Sequence, residues 1–421
     1  MNGVSGADLQ HVVFAYVFYY PFLMAWIWIT GGVLHALVFE RGAKAAADPL
    51  AQLPATPLVS VIVPCRNEAA QVHEVIAQLM RSNYPDFEVI AVNDGSTDAT
   101  GAILDALTLE WPRLRVVHLA TNQGKAVALN TAVLVARGEF IFGIDGDALI
   151  DPDAIGWLMV SMLRSDRVAA VTGNPRIRNR TTLLGRMQVG EFSSTIGLIK
   201  RTQQIVGRLF TVSGVVVMFR RKALMEVGFW SNDVLTEDID VSWKLQVAGW
   251  GLRFEPRALA WVLMPETLRG LYRQRQRWAT GGIQTALRYT PHVLHPRQWR
   301  MWPIAFEYLA SVVWAYAMLL VIVLALLGRW LPPSWQVGFV PQWHGTVLGM
   351  TCMAQMFASM CIDRHYDHRL LRYFAWTVWY PLAFWMLNMV TSVIGVPAAL
   401  LRPPGRRARW RSPDRGLTNV R

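Results

Sequence analysis

Glu139-Phe140-Ile141-Phe142-Gly143-Ile144-Asp145-Gly146-Asp147 is a strand-like apolar run that stops at two carboxylates flanking a glycine. Upstream the same design repeats. Residues 58–63 form a short apolar strand ending at Pro64, 87–92 a second and 114–119 a third, with 140–144 the fourth. Between them 70–81, 98–109 and 125–136 read as helices, Asp98 being placed to cap one of them. This alternation predicts an α/β fold with a doubly wound, mostly parallel sheet. Such sheets bind ligands beyond the carboxyl ends of their strands, where Pro64, Asp94 and Asp145 all stand. Residues 151–260 continue the domain with mixed helices and strands.

The rest of the chain reads as membrane-associated. It has 421 residues, 53% of them hydrophobic, with 19 Trp, a composition that favours one large domain plus spanning segments. The formal charge of +12 suits an anionic partner. Arginine clusters flank the apolar segments and no nucleic-acid motif is present, so lipid and nucleotide are favoured over nucleic acid. Cys65, Cys352 and Cys361 have no metal-ligand spacing and predict no structural disulfide.

Residues 12–39 exceed the roughly 20 needed to span a bilayer. They lack a basic flank before them and a cleavage pattern after them, so they read as an anchor. Arg41 and Lys44 follow, which places residue 45 onward in the cytoplasm. The predicted division is an anchor over 1–44, an Ala/Pro linker over 45–57 and a cytoplasmic catalytic domain over 58–265. An amphipathic interfacial segment over 266–300, a membrane region over 301–401 and a basic tail over 402–421 complete it. Apolar stretches near 303–328, 345–362 and 373–400 give four crossings on a strict count, with the C-terminus outside. The arginine-rich tail argues for the inside, and a re-entrant 373–400, interrupted at Pro381, would reconcile the two. Both readings stand.

Asp145-Gly146-Asp147 can hold a hard divalent cation and a ribose, since Mg²⁺ or Mn²⁺ takes oxygen ligands and is completed by substrate phosphates. An ordinary Asp-Gly turn is the plainer alternative. In Val92-Asn93-Asp94-Gly95, Asp94 can accept hydrogen bonds from a nucleotide, while Asp98 reads as a cap only. Thr236-Glu237-Asp238 opens a helix over 239–248, and the helix dipole alone can explain Glu237. Asp238 is the candidate general base for a hydroxyl nucleophile. Gln274, Arg277 and Trp278 share one helical face. Arg277 can grip a diphosphate and Trp278 can stack on a sugar, whereas Arg273 and Arg275 can be plain interfacial basic residues. Lys125 follows Gly124 at a helix start and is either a nucleotide contact or a solvated lysine. Arg66 and Glu68, just past Pro64, are candidates for the base, and 210–214 for a loop near the acceptor.

These residues in this order resemble the processive family 2 glycosyltransferases, the class of cellulose, chitin and hyaluronan synthases. Thr172-Gly173-Asn174-Pro175-Arg176-Ile177-Arg178, Ile196-Gly197-Leu198-Ile199-Lys200-Arg201-Thr202-Gln203, 236–246, Arg300-Met301-Trp302-Pro303 and Arg407-Ala408-Arg409-Trp410 with 412–416 sharpen the likeness. They are similar to the branch that makes poly-N-acetylglucosamine, from about residue 20 to the end. The resemblance implies a GT-A-like domain, UDP-N-acetylglucosamine as donor and a growing β-1,6-linked polysaccharide as product. It implies that Asp94 and Asp145 hold UDP, Asp147 the metal and Asp238 the base role. Gln274, Arg277 and Trp278 then line the diphosphate and acceptor region, and Arg176 and Glu237 join the substrate-binding set.

The resemblance further implies a multi-pass protein of the cytoplasmic membrane, a small membrane partner subunit and control by cyclic di-GMP. The tail arginines suit either a cyclic di-GMP site or anionic lipid. Some members carry two N-terminal membrane helices, where this chain has room for one. Competing readings are a synthase of another β-linked polymer, a polyprenyl-phosphate glycosyltransferase and a non-catalytic nucleotide receptor. The last is disfavoured by the presence of Asp147, Asp238 and Arg277 together.

Overall fold

A computed structural model describes residues 6–40, 48–330, 343–403 and 405–409. Arg41, Lys44 and the tail from Trp410 onward, on which parts of the topology and tail readings rest, lie outside the described residues.

Helix α1 (Gly6–His35) is followed by the sheet domain. Its strands are β1 (Val59–Cys65), β2 (Phe87–Asp94), β3 (Leu114–Leu119), β4 (Phe140–Ile144), β5 (Leu149–Ile150), β6 (Val168–Ile177), β7 (Val216–Arg220) and β8 (Gly251–Val262). The helices between them are α2 (Val72–Met80), α3 (Thr100–Glu110), α4 (Lys125–Val135), α5 (Ala154–Met162), α6 (Leu183–Glu191), α7 (Ile199–Val206), α8 (Arg221–Glu226) and α9 (Glu237–Val247). Then come α10 (Leu268–Val293), α11 (Trp302–Leu327), α12 (Trp343–Asp363) and α13 (Met386–Leu400).

The strands form one sheet in the order β3-β2-β1-β4-β7-β6-β8-β5. Strands β1 to β4 pair in parallel, as do β6 and β8. The pairs β4–β7, β6–β7 and β5–β8 are antiparallel, so the sheet is mixed. Each of the first four strands lies within two residues of its predicted span. Strand β1 runs through Pro64 to Cys65, opposite Val92 and Asn93. A proline fits there because pairing with β4 has already stopped at Ile62–Gly143.

Side chains alternate across the sheet. Val59, Val61 and Val63 face one core with Val75, Ile76 and Leu79 of α2 and Leu158 and Met159 of α5. Ile62, Ile90 and Val92 face a second core with Ala128, Leu129 and Ala132 of α4. Burial on both faces explains why these strands read as unbroken apolar runs. Each fully buried Val or Ile contributes about 1.5–3 kcal/mol.

Among the described residues four helices are long and apolar enough to cross a membrane: Gln10–Glu40, Pro296–Leu327, Trp343–Asp363 and Pro381–Leu400. The 373–400 stretch is therefore two elements. A tight helical segment, Leu370–Trp379, packs on α6 and α12, and the apolar helix starts afresh at Pro381. Proline has no N–H to donate, so the helix geometry changes at Pro381 while the backbone stays helical through Tyr380. Helix α10 is more than an amphipathic helix on a membrane surface. It buries Leu271, Thr280, Ile283 and Ala286 and packs on both α9 and α13.

One buried charge network ties the membrane helices to the sheet. Asp363, at the end of α12, accepts from Arg176 of β6 (2.6 Å) and from Arg201 of α7 (2.8 Å). Arg201 also reaches Glu40 past the end of α1, at 2.6 Å. Arg176 was expected to bind substrate. Its guanidinium is instead 2% exposed and committed to Asp363 and Ser193, so it is a joint between domain and membrane helix. Removing one partner from a buried ion network costs about 3–5 kcal/mol, because a buried charge is left without its counter-ion. Asp363→Ala should therefore cut the yield of folded protein sharply and lower its melting temperature in detergent. An unchanged melting curve would show that the network bears no weight.

Candidate active site

The cluster forms where β4 ends. Lys125, in the first turn of α4, extends its ammonium between two carboxylates, Asp145 at 2.5 Å and Glu237 at 3.1 Å. Burial opposes this charge, but Asp145 and Glu237 together hold the ammonium well above the usual lysine value. The lysine that could have been a solvated one is thus the centre of the acidic cluster. Asp238 stands beside it. A Cβ on Gly214 would lie 3.4 Å from Lys125 Nζ and 3.6 Å from Asp238 Oδ2, so the end of the 210–214 loop packs against both. That loop is tied to α9, since the Val212 N–H donates to Ser242 Oγ and Ser242 Oγ donates to the Asp238 carbonyl.

Two adjacent acids have opposite electrostatics here. Burial disfavours the Glu237 charge, but Lys125 and Arg277 more than offset it and hold its carboxyl below the usual range. Burial and then the Glu237 charge push Asp238 above that range, against Lys125 and Arg277. An acid displaced upward in this way is better matched to taking a proton near neutral pH. Arg277, on α10, is exposed and donates to the Leu235 carbonyl at 3.3 Å. Helices α9 and α10 are joined by Asp240, which accepts from Arg288 (3.1 Å) and Tyr289 (3.2 Å). Gly281 of α10 makes the close approach possible, because a Cβ there would meet Thr236 at 2.2 Å.

The strand-end loops complete the floor. Gly146 nests against the loop after β1, where a Cβ would lie 3.0 Å from the Pro64 carbonyl and 3.2 Å from Glu68 Cγ. Asp94 is fully buried. Its two oxygens accept from the backbone N–H groups of Gln123 (2.7 Å) and Gly124 (2.9 Å). It therefore orders the loop that delivers Lys125. Arg66 donates to the carbonyls of Asp94 and Gly95, and so braces the same corner. Asp98 accepts from the N–H groups of Thr100 and Ala69; the helix N-cap is Ala99, so Asp98 holds the first turn from one position before the cap.

Burial and the Asp145 charge push the Asp147 carboxyl up to about 7. A buried acid next to a second acid is a place where a cation relieves repulsion, so the residues fit a divalent metal. Among the described residues no group of three or more His, Cys, Asp and Glu is arranged to hold an ion. A metal here would take its remaining ligands from phosphate and water.

Trp278 is partly buried, with the Arg275 guanidinium 4.2 Å above its ring. Sequence left Arg275 open to being a plain interfacial residue. It is buried and paired with Glu191 at 2.6 Å, so it fixes the tryptophan. Gln274 Oε1 is buried and has no hydrogen-bond partner among the described residues. The described end of the tail lies across Gly124. The Arg407 guanidinium donates to Gln123 Oε1, Ala408 donates to the Asn232 carbonyl, and a Cβ on Gly124 would meet the Ala408 carbonyl at 2.2 Å.

Sequence reading missed Lys200 of α7. It is buried, donates to Thr172 Oγ1 at 3.4 Å, and is pushed down to about 7 by burial, against the attraction of Asp238. Its signal was only its place in the 196–203 stretch. Lys200→Met removes a cation that favours the Asp238 carboxylate, so the pKa of Asp238 should rise. The acid limb of the rate–pH profile should then move to higher pH, with the fold retained. An unmoved limb would show that Asp238 does not set it.

Comparison with known proteins places this geometry. Residues 54–281 match the model of the "Glycosyltransferase like family 2" family. A poly-β-1,6-N-acetyl-D-glucosamine synthase of Staphylococcus epidermidis is 34% identical over 410 residues, 96% of this chain and 98% of that protein. The synthase of the same name from Staphylococcus aureus is 32% identical over 413 residues, 96% and 99% respectively. A mannosyltransferase of Pyrobaculum calidifontis, solved with GDP-mannose and Mn²⁺, shares the fold at a TM-score of 0.63 and 20% identity. That match covers 94% of this chain and 99% of the mannosyltransferase.

Proposed function

The chain belongs to the family 2 glycosyltransferases, and on that premise we propose that it polymerises N-acetylglucosamine from UDP-N-acetylglucosamine into a β-1,6-linked polysaccharide. The observation that carries the reading is the meeting of Lys125, Asp145, Glu237, Asp238 and Arg277 in one cluster at the strand ends. Near-complete overlap with synthases of that name supports the choice of sugar and linkage.

The reaction is a single inverting displacement. The Asp238 carboxylate takes the proton of the acceptor's 6-hydroxyl as that oxygen bonds to the anomeric carbon. The bond to the UDP oxygen breaks on the opposite face and its electron pair leaves with the diphosphate. An α-linked donor then gives a β-linked product. Arg277 binds the departing diphosphate, in the fork geometry suited to phosphate. Lys125 keeps Asp145 and Glu237 ordered, and Trp278 stacks on the acceptor sugar. Asp147, with Asp145 beside it, would hold the divalent cation, Mg²⁺ or Mn²⁺, which when bound offsets charge developing on the leaving group.

The membrane is the cytoplasmic one, with the sheet domain on the cytoplasmic side. The product passes outward along the membrane helices, since a polar polymer needs a lined path through hydrocarbon. The division into anchor, linker, catalytic domain, interfacial segment, membrane region and tail is part of the same proposal. A small membrane partner subunit and control by cyclic di-GMP enter it from the family resemblance alone.

The test uses membranes carrying the full chain, radiolabelled UDP-N-acetylglucosamine and Mg²⁺, followed by linkage-specific hydrolases. Asp238→Asn should lower polymer formation by about 10²–10⁴-fold, the usual contribution of general base catalysis. Polymer made at an undiminished rate would exclude Asp238 as base. Product resistant to β-1,6-specific digestion would point to another polymer, and organic-extractable product to a lipid-phosphate acceptor.

A further inference from the structure

A cavity of about 450 Å³ lies away from the carboxylate cluster, and none of Lys125, Asp145, Asp147, Glu237, Asp238 or Arg277 lines it. Its wall contains Arg164, Arg167, Arg208, Arg253, Arg257 and Arg300. The two acids in that wall are already engaged. Glu255 accepts from Arg257 at 2.7 Å and from Ser161 at 2.6 Å, and Glu40 accepts from Arg201 at 2.6 Å. Among the described residues no carboxylate pairs with any of the other five arginines.

These cations repel one another. Arg208 is held below the usual arginine value by burial and then by Arg300. Arg253 is held down by burial and then by Arg164. The Nε of Arg208 is buried without a hydrogen-bond partner among the described residues. Cations gathered round a space, with the local acids spent, form a receptor for a multivalent anion.

Position narrows the anion. His35, Phe39 and Glu40, in the same wall, end the first apolar span, and Arg300 immediately precedes the body of the second. With these helices crossing the bilayer as proposed above, the cavity sits where two of them leave the hydrocarbon, on the side of the sheet domain. Anionic headgroups are concentrated there, and juxtamembrane arginines attract them.

We propose that this cavity binds a phosphate-bearing ligand at the membrane surface, with the headgroup of an anionic phospholipid as the occupant its position favours. The headgroup phosphate lies between the Arg208–Arg300 and Arg253–Arg164 pairs, and relieves both repulsions. It also bridges the end of α1, β8 and the approach to α11, so the bound lipid locks the sheet domain to the bilayer.

The full chain, purified in detergent, tests this. Short-chain phosphatidylglycerol, short-chain phosphatidylcholine and glycerol phosphate are titrated separately, with melting temperature and native mass spectrometry as readouts. Phosphatidylglycerol should bind about tenfold more tightly than phosphatidylcholine, and Arg208→Gln with Arg253→Gln should remove about that factor. Arg164→Gln with Arg300→Gln, both at exposed positions, should weaken binding several-fold with melting in the absence of lipid unchanged. This second pair keeps the test valid if the first fails to fold.

Arginine-dependent binding of glycerol phosphate as tight as that of the lipid would uphold phosphate recognition and assign the site to a soluble phosphate compound. Phosphatidylglycerol bound equally by wild type and the exposed double variant, with no arginine-dependent phosphate binding, would overturn the proposal.

Discussion

A carboxylate with no solvent exposure, Asp363, held between the buried guanidiniums of Arg176 and Arg201, fixes how the membrane helices meet the sheet. Each charge would be costly alone in that environment, and the three are tolerable only together. The consequence is geometric. Asp363 ends α12, Arg176 is on β6 and Arg201 is on α7, one residue from Lys200. Through Arg201 the network also takes in Glu40, past the end of α1. The elements that place Lys200 near Asp238 are thus the elements that grip the membrane helices.

The active cluster depends on a second compensation of the same kind. Lys125 pairs with both Asp145 and Glu237 and helps hold the Glu237 carboxyl down, while burial and a neighbouring carboxylate keep Asp238 and Asp147 raised despite it. Protein dipoles and charges fixed in advance of reaction need no reorganisation when charge moves. The order is set by backbone. Asp94 uses its carboxylate to hold the Gln123–Gly124 turn, and that turn aims Lys125. At Gly281 two segments of the chain approach too closely for a side chain, and at Gly146 the fit is tight.

The first half of the sheet was legible because β1, β2 and β4 are buried on both faces and β1 to β4 alternate with helices in chain order, β3 being the half-buried edge strand. The second half was not, because β7 pairs with β4 although β5 and β6 precede it in sequence. No local pattern encodes that insertion. Asp94, Asp145 and Asp147 were readable from their place at or past strand ends, and Glu237 and Asp238 from the start of a helix. The buried basic residues were not. Arg176, Arg275 and Lys200 look like surface residues by composition, and only the three-dimensional neighbours Asp363, Glu191 and Asp238 show what holds them inside. Asp238 was singled out from sequence as the base, but the cause of its difference from Glu237 was hidden: Lys125 pairs directly with Glu237, and the Glu237 charge in turn raises Asp238.

The central claim is that one sugar nucleotide is gripped where β4 ends, by residues of the turn after β4 and of α4, α9 and α10. The most direct measurement is an experimental structure of the full chain with UDP and Mn²⁺ bound. The account expects the diphosphate within hydrogen-bonding reach of Arg277 and the metal on Asp147, beside the Lys125–Asp145 pair. A diphosphate seated instead in the arginine-lined cavity around Arg208 and Arg253, with the carboxylate cluster bare, would contradict it.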